Sequence, residues 1–235
     1  MSRHTITHAD EIFIGDAVAL GSNSARRGIE MMPVHQQVIE DSVAPDPNGI
    51  AEAQAVAAAG DLTLDGTIVD ADGVAILDFA RNVSLVSDNA GDTTQTATVT
   101  GTDIHGAAQV EDIALNGVTE VFGAKAFKTV SQVAISAATA GNMIAGTPVA
   151  ADTEFGLDSG LESLFDVVMA SDGLSPLALE GGVFTVQDAT VPATATTGDT
   201  KGTYNPSNAP DGSADYVLWF HPILTKESYR DNFAG

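Results

Sequence analysis

The residues able to do acid–base, nucleophilic or metal chemistry are few and scattered. Cysteine is absent, which excludes thiolate nucleophiles, disulfides and thiolate metal sites. No Gly-x-Ser-x-Gly turn presents a serine. The histidines are His4, His8, His35, His105 and His221; the first three fall in a stretch that reads as an arm, a poor place to hold a base in position. His105 lies in Gly101-Thr102-Asp103-Ile104-His105-Gly106. There Asp103 and His105 could form an acid–base pair or half a metal site, but the same composition is that of a solvated hairpin turn, the reading preferred for one short motif. His221 closes an aromatic strand before Pro222 and reads as a satisfied strand-end histidine.

Asp70-Ala71-Asp72-Gly73 supplies the opening of a calcium loop and makes Asp70 and Asp72 the candidate metal ligands. The third oxygen ligand at the next alternate position and the distal glutamate are missing, so a plain turn is favoured. Gly198-Asp199-Thr200-Lys201-Gly202-Thr203 lacks the spacing of a phosphate-binding loop. Carboxylates spread through turns are the ordinary surface of an acidic protein, and a glycosidase pair would converge only in space. The expectation is a chain that is not an enzyme and needs no cofactor.

The elements that would have to position any such residues belong to a chain of 235 residues, 44% hydrophobic, enough for one large core or two modest ones. Charged residues make up 17%, with 32 acidic against 9 basic, and the net charge is −23. Such a surface repels nucleic acid and anionic membranes, and the basic residues gather nowhere. Four lysines beside an excess of aspartate suit hydration in high salt, as in a marine or halophilic source. The first residues lack the basic start and apolar stretch of a signal peptide, and nowhere is there a run of the ~20 apolar residues of a membrane span. A soluble protein made in the cytoplasm is expected.

Residues 1–48 show no sustained period. Short apolar groups such as Ile12-Phe13-Ile14 are separated by glycines and polar runs, and Pro33, Pro45 and Pro47 add breaks. The stretch reads as an extended arm ordered by its neighbours, with an edge strand folded onto the chain's own core as the equal alternative. Ile50–Ala59 is alanine-dense, follows Asn48-Gly49 and stops at Gly60, which predicts a short helical linker, or else an extended one. Residues 1–60 thus form arm and linker.

From Asp61 the chain reads as short strands punctuated by turns: Val74–Phe79, Val83–Ser87, Gln95–Thr100, Ala108–Leu115, Val118–Phe122 and Phe127–Ser136. Alternation through Thr96–Thr100 puts the threonines on one face and Ala97 and Val99 on the other. The phase slips between Val130 and Val133, predicting a bulge. This β-sandwich domain runs over 61–145. A second β-rich unit, 146–235, packs on the first or on a neighbouring subunit. It carries a mixed segment, Leu157–Ser171, with Leu161, Leu164, Phe165 and Val168 at helical spacing. Strands return at Val183–Gln187 and Tyr216–His221, the second predicted to be central to its sheet or buried at a subunit interface, with both faces covered. Between them lies a long loop from Thr194 to Pro206, a candidate contact. The fold class is mainly β: an antiparallel sandwich or jelly-roll-like body with an extended N-terminal arm and at most short helices.

The run Arg81-Asn-Val-Ser-Leu-Val-Ser87, then Thr98-Val-Thr-Gly101-Thr-Asp103 with Gly106, Glu111 and Phe127-Lys-Thr-Val130, resembles a β-sandwich repeat of tailed-phage structural proteins. Thr197-Gly198-Asp199-Thr-Lys-Gly202-Thr-Tyr204-Asn-Pro206 with Pro210-Asp211-Gly212-Ser213 is similar to their C-terminal block. The resemblance covers roughly residues 60–222 and leaves the arm unmatched. It implies a virion protein of the capsid decoration or cement type on the capsid surface. Its partner would be the major capsid protein, and it would be a homo-oligomer, commonly a trimer, without nucleic-acid or membrane partners. The expected contact residues are Ile12, Phe13, Ile14, Arg26, Arg27, Tyr204 and Trp219. The alternatives are a tail, neck or fibre component, a carbohydrate-binding sandwich used in attachment, or a cellular surface module.

Overall fold

A computed structural model describes residues 34–148, 150–164, 167–171, 182–188, 190, 195–213 and 215–222. Among these the chain is a succession of antiparallel strands: β1 His35–Ile39, β2 Ala51–Ala55, β3 Gly60–Asp61, β4 Ala75–Arg81, β5 Ser84–Ser87, β6 Thr96–Thr102, β7 Ala108–Ala114, β8 Val121–Phe122, β9 Phe127–Ile135, β10 Asn142–Gly146, β11 Phe155–Gly156, β12 Val167–Ser171, β13 Val183–Val186, β14 Gly202–Asn205 and β15 Tyr216–Phe220. A 3₁₀ turn spans Ala150–Asp152. No helix of the described residues is long and apolar enough to cross a membrane.

The strands build three sheets. The largest has the order β13-β14-β11-β4-β9-β6-β7, with β3 added against β9; the others are β2-β10-β5-β8 and β1-β15-β12. β6 shows why they pack. Ala97 and Val99 point inward and are fully buried, while the threonines between them stay half-exposed, the period-two pattern of a sheet with one wet face. The phase slip falls where the sequence places it: Thr100 pairs with Gln132 but Gly101 with Val130, leaving Ser131 as the extra residue of a bulge.

Two apolar cores result. The first lies between one half of the large sheet and the β2-β10-β5-β8 sheet, and joins Leu77, Val99, Phe127, Val133, Leu85 and Met143 among others. The second lies between the other half and the three-stranded sheet, and is largely aromatic: Phe155, Tyr204, Tyr216 and Phe220 with Ile39, Leu157, Leu161 and Leu218. β4 belongs to both, with Ala75 and Leu77 in the first core and Phe79 against the second. Strands from both sides of residue 145 thus share the large sheet while lining two different cores.

Three expectations need correction. The alanine-dense segment is strand β2, not a helix: its Ala55, Gln54 and Ala51 pair with Asn142, Met143 and Ala145. A ten-residue helix is marginal alone, whereas the strand is anchored by buried Ile50, Ala51 and Val56, so tertiary burial overrides propensity. For the described part of the arm, the separable reading gives way to its equal alternative, an edge strand on the chain's own core: β1 pairs along its whole length with β15 and buries Ile39 and Gln37. In the mixed segment, Leu161 is buried but Leu164 is exposed, and Val167–Ser171 forms β12 against β15 instead of a helix. β15 is central, as expected from its sequence, though only its Tyr216, Leu218 and Phe220 face is fully buried.

Candidate functional site

The densest gathering of ionisable groups lies where the turn between β8 and β9 meets the loop before β14. Gly123-Ala124-Lys125-Ala126 makes a tight corner whose successive amides point at carboxylates. Glu111, on β7, accepts the N–H groups of Ala124 at 2.6 Å and Lys125 at 3.2 Å. Asp199, from the loop, accepts those of Ala126 at 3.0 Å, Lys201 at 2.8 Å and Gly202 at 3.0 Å. The Lys125 ammonium, almost fully buried, donates to the Val110 carbonyl at 2.9 Å. Asp188 closes the loop on itself by accepting the Gly198 N–H, while its own N–H donates to the Asp199 carbonyl. The loop is fastened again by an ion pair of Lys201 with Asp103 and by the Asp112 N–H bonded to the Ala195 carbonyl.

Burial sets the electrostatics of this corner. It pushes the Glu111 carboxyl up to about 7, against the pull of the Ala124 and Lys125 amides and with a further push from Asp199. Asp199 is raised by burial too, three amides and Lys201 opposing. The Lys125 ammonium is pushed down by burial, with Glu111, Asp199 and Asp188 opposing. Burial also works on Asp103, yet the bond from Lys201 and the amides of Ala107 and His105 hold it below the ordinary range.

Three other ties share this design. Arg81 is buried, pairs with Asp78, donates to the Val43 carbonyl at 3.0 Å and lies 5.2 Å from the centre of the Phe155 ring. Asp92 is buried and accepts from the Ala140 and Gly141 amides and the Ser87 hydroxyl, the Ala140 amide contributing most to holding its carboxyl low. Asp158 accepts from His35 Nε2 at 2.8 Å through its carboxylate and from His105 Nε2 at 2.6 Å through its carbonyl.

No family model, curated protein or solved structure matches this chain.

The residues singled out by sequence are not brought together. Asp70 Oδ1 accepts the Asp72 and Val74 amides at 3.0 and 2.9 Å and so caps its own turn, Asp72 is exposed, and Gly73 takes the left-handed φ of +77° that ends it. Among the described residues no group of three or more histidine and carboxylate side chains could hold a metal ion. Asp103 accepts the backbone amide of His105 rather than its ring, so the two do not form an acid–base pair. Ile12, Phe13, Ile14, Arg26 and Arg27 lie outside the described residues. Tyr204 was expected at a contact surface but is wholly buried in the second core, 4.7 Å from the Phe184 ring centre, because β14 turns its side chain inward. Among the described residues its hydroxyl has no hydrogen-bond partner. Trp219 lies half-buried on the face of β15 turned away from that core, opposite Gln36 and beside the paired Val38 and Val217.

Sequence reasoning missed the tying roles of Glu111, Lys125, Asp199 and Arg81. A usable signal existed. In a chain with four lysines and 32 acidic residues, each cation in the body is a candidate for a buried partner. Lys125, facing the buried Glu111, and Lys201, paired with the buried Asp103, each have one, whereas the buried Arg81 reaches the exposed Asp78. Chemically, the arrangement holds loops to sheets through charge-assisted hydrogen bonds.

Proposed function

We propose that this chain is a structural component of a virus particle, decorating or cementing the head of a tailed virus by binding its major capsid protein as a homo-oligomer, with a trimer favoured. The observation that carries the reading is where the molecule places its buried ionisable groups. Glu111, Lys125, Asp199, Arg81 and Asp92 each fasten a loop or turn to a neighbouring strand, turn or loop through backbone groups. A protein whose task is to hold a shape on a surface needs rigidity of this kind and little else. The sequence motifs that resemble tailed-phage structural proteins support the particular setting, and the net charge of −23 argues against a role on the packaged nucleic acid.

The test is to locate and count the chain in purified particles by quantitative mass spectrometry and cryo-microscopy. The expected result is a copy number comparable with that of the major capsid protein, and density over the head surface. A handful of copies per particle, or density confined to the tail vertex, would overturn the decoration role and favour a neck or tail component.

A further inference from the structure

The corner at residues 123–126 collects more negative charge than it balances. Two carboxylates, Glu111 from β7 and Asp199 from the loop, share the consecutive amides of Ala124, Lys125 and Ala126. The ammonium of Lys125 faces both, and a third carboxylate, Asp188, faces Lys125 from the loop side. Glu154, ahead of β11, faces Asp199 with Asp152 beside it, and its own carboxylate is taken by the Thr203 hydroxyl. Lys201, the other cation of the loop, is paired with Asp103. Burying several carboxylates against so few ammonium groups is costly unless one of them carries a proton.

We propose that this corner is a proton-operated latch for the loop over residues 195–201: with a proton on Glu111 the loop is held closed against the body, and loss of that proton releases it. The geometry confines the motion. Beyond the loop, β14 is fixed by pairing with β11 and β13 and by Tyr204 in the second core, so release stops at Gly202. Before it, the ties that would give way are the Asp199 carboxylate on Ala126, the Asp188–Gly198 closure, the Asp188 N–H on the Asp199 carbonyl, the Ala195 carbonyl on Asp112, the Lys201–Asp103 ion pair and the Leu161 N–H on the Lys201 carbonyl. Ionised Glu111 repels Asp199, the residue on which the closure depends, and opening returns both to water. Because burial pushes the closed-state Glu111 carboxyl up to about 7 while opening returns it to its ordinary 4.5, the closed state loses its proton-linked advantage between these two values. The latch does not rest on the virion reading, since it concerns the chain by itself.

The absence of cysteine allows a clean probe. A nitroxide attached to Thr200→Cys, an exposed loop position, would report loop mobility by electron paramagnetic resonance across about pH 4 to about pH 8. The expected result is an immobile spectrum at the acidic end, a mobile one at the alkaline end, and a change that falls between about 4.5 and about 7. Glu111→Gln should abolish the step, since its side chain cannot ionise. Lys125→Met, which removes the ammonium facing Glu111, should move the step to higher pH. A spectrum that does not change over this range overturns the proposal. So does a step that persists in Glu111→Gln or stays in place in Lys125→Met.

Discussion

Glu111 and Arg81 are buried for opposite reasons, and their substitutions should behave differently. Folding raises the Glu111 carboxyl from an ordinary value of 4.5 to about 7, so between these values the native state holds a proton that the unfolded state has lost. Its contribution is complete below about 4.5 and disappears as pH rises through about 7. On its own this amounts to about 3 kcal/mol. Urea unfolding should therefore show stability falling from acidic to neutral pH, and Glu111→Gln should flatten that fall. At Arg81, burial lowers the pKa while Asp78 raises it. Asp78→Ala would leave the guanidinium buried with its charge unpaired and should cost about 3 kcal/mol. Arg81→Met should cost clearly less, because it removes the charge and keeps much of the packing on Phe155. Equal losses in the two variants would show that the pair itself, rather than the stranded charge, carries the stability.

The strands depend on close approaches that a sequence pattern only partly reveals. At Gly101 in β6 an added Cβ would meet the Thr129 carbonyl oxygen at 1.9 Å and the Phe127 ring at 3.1 Å, beside the bulge at Ser131. Gly101→Ala should therefore lower stability by roughly 2 kcal/mol or more, read as a drop in Tm; an unchanged Tm would mean that β6 and β9 can part there at little cost. The bulge was legible because Val130 and Val133 break the two-residue phase, and β6 because its threonines and small apolar residues alternate. β2 was not legible, since an alanine-rich stretch has high helix propensity and its partners Asn142–Ala145 lie far along the chain. The ionic corner was hidden for the same reason. Ala126 and Asp199 are 73 residues apart, and nothing local to either marks the other. The aspartate turns at Asp70 and Asp103 were readable because their bonds reach only two to four residues.

At the scale of the molecule, the folded body takes in part of the stretch that the sequence reads as an arm. Residues 1–48 read as an arm separable from the body, yet β1 within them completes the three-stranded sheet, buries Ile39 in the second core and places Gln37 in bonds to Gly156 and Asp158. The Val43 carbonyl, just beyond β1, is also one of the partners of Arg81. If residues 1–33 serve attachment alone, removing them should leave the thermal unfolding of the body nearly unchanged. Removing residues 1–48 should cost about 4 kcal/mol or more, because an edge strand, a buried isoleucine and an arginine contact go together. If the apolar groups and arginines before β1 grip the shell, the shorter deletion will abolish particle binding while Tm holds. That outcome separates a lost grip from a lost fold, which the longer deletion cannot do. Particle binding that survives loss of residues 1–33 would instead place the grip on the body, where the half-buried Trp219 beside Val38 and Val217 is the first surface to substitute.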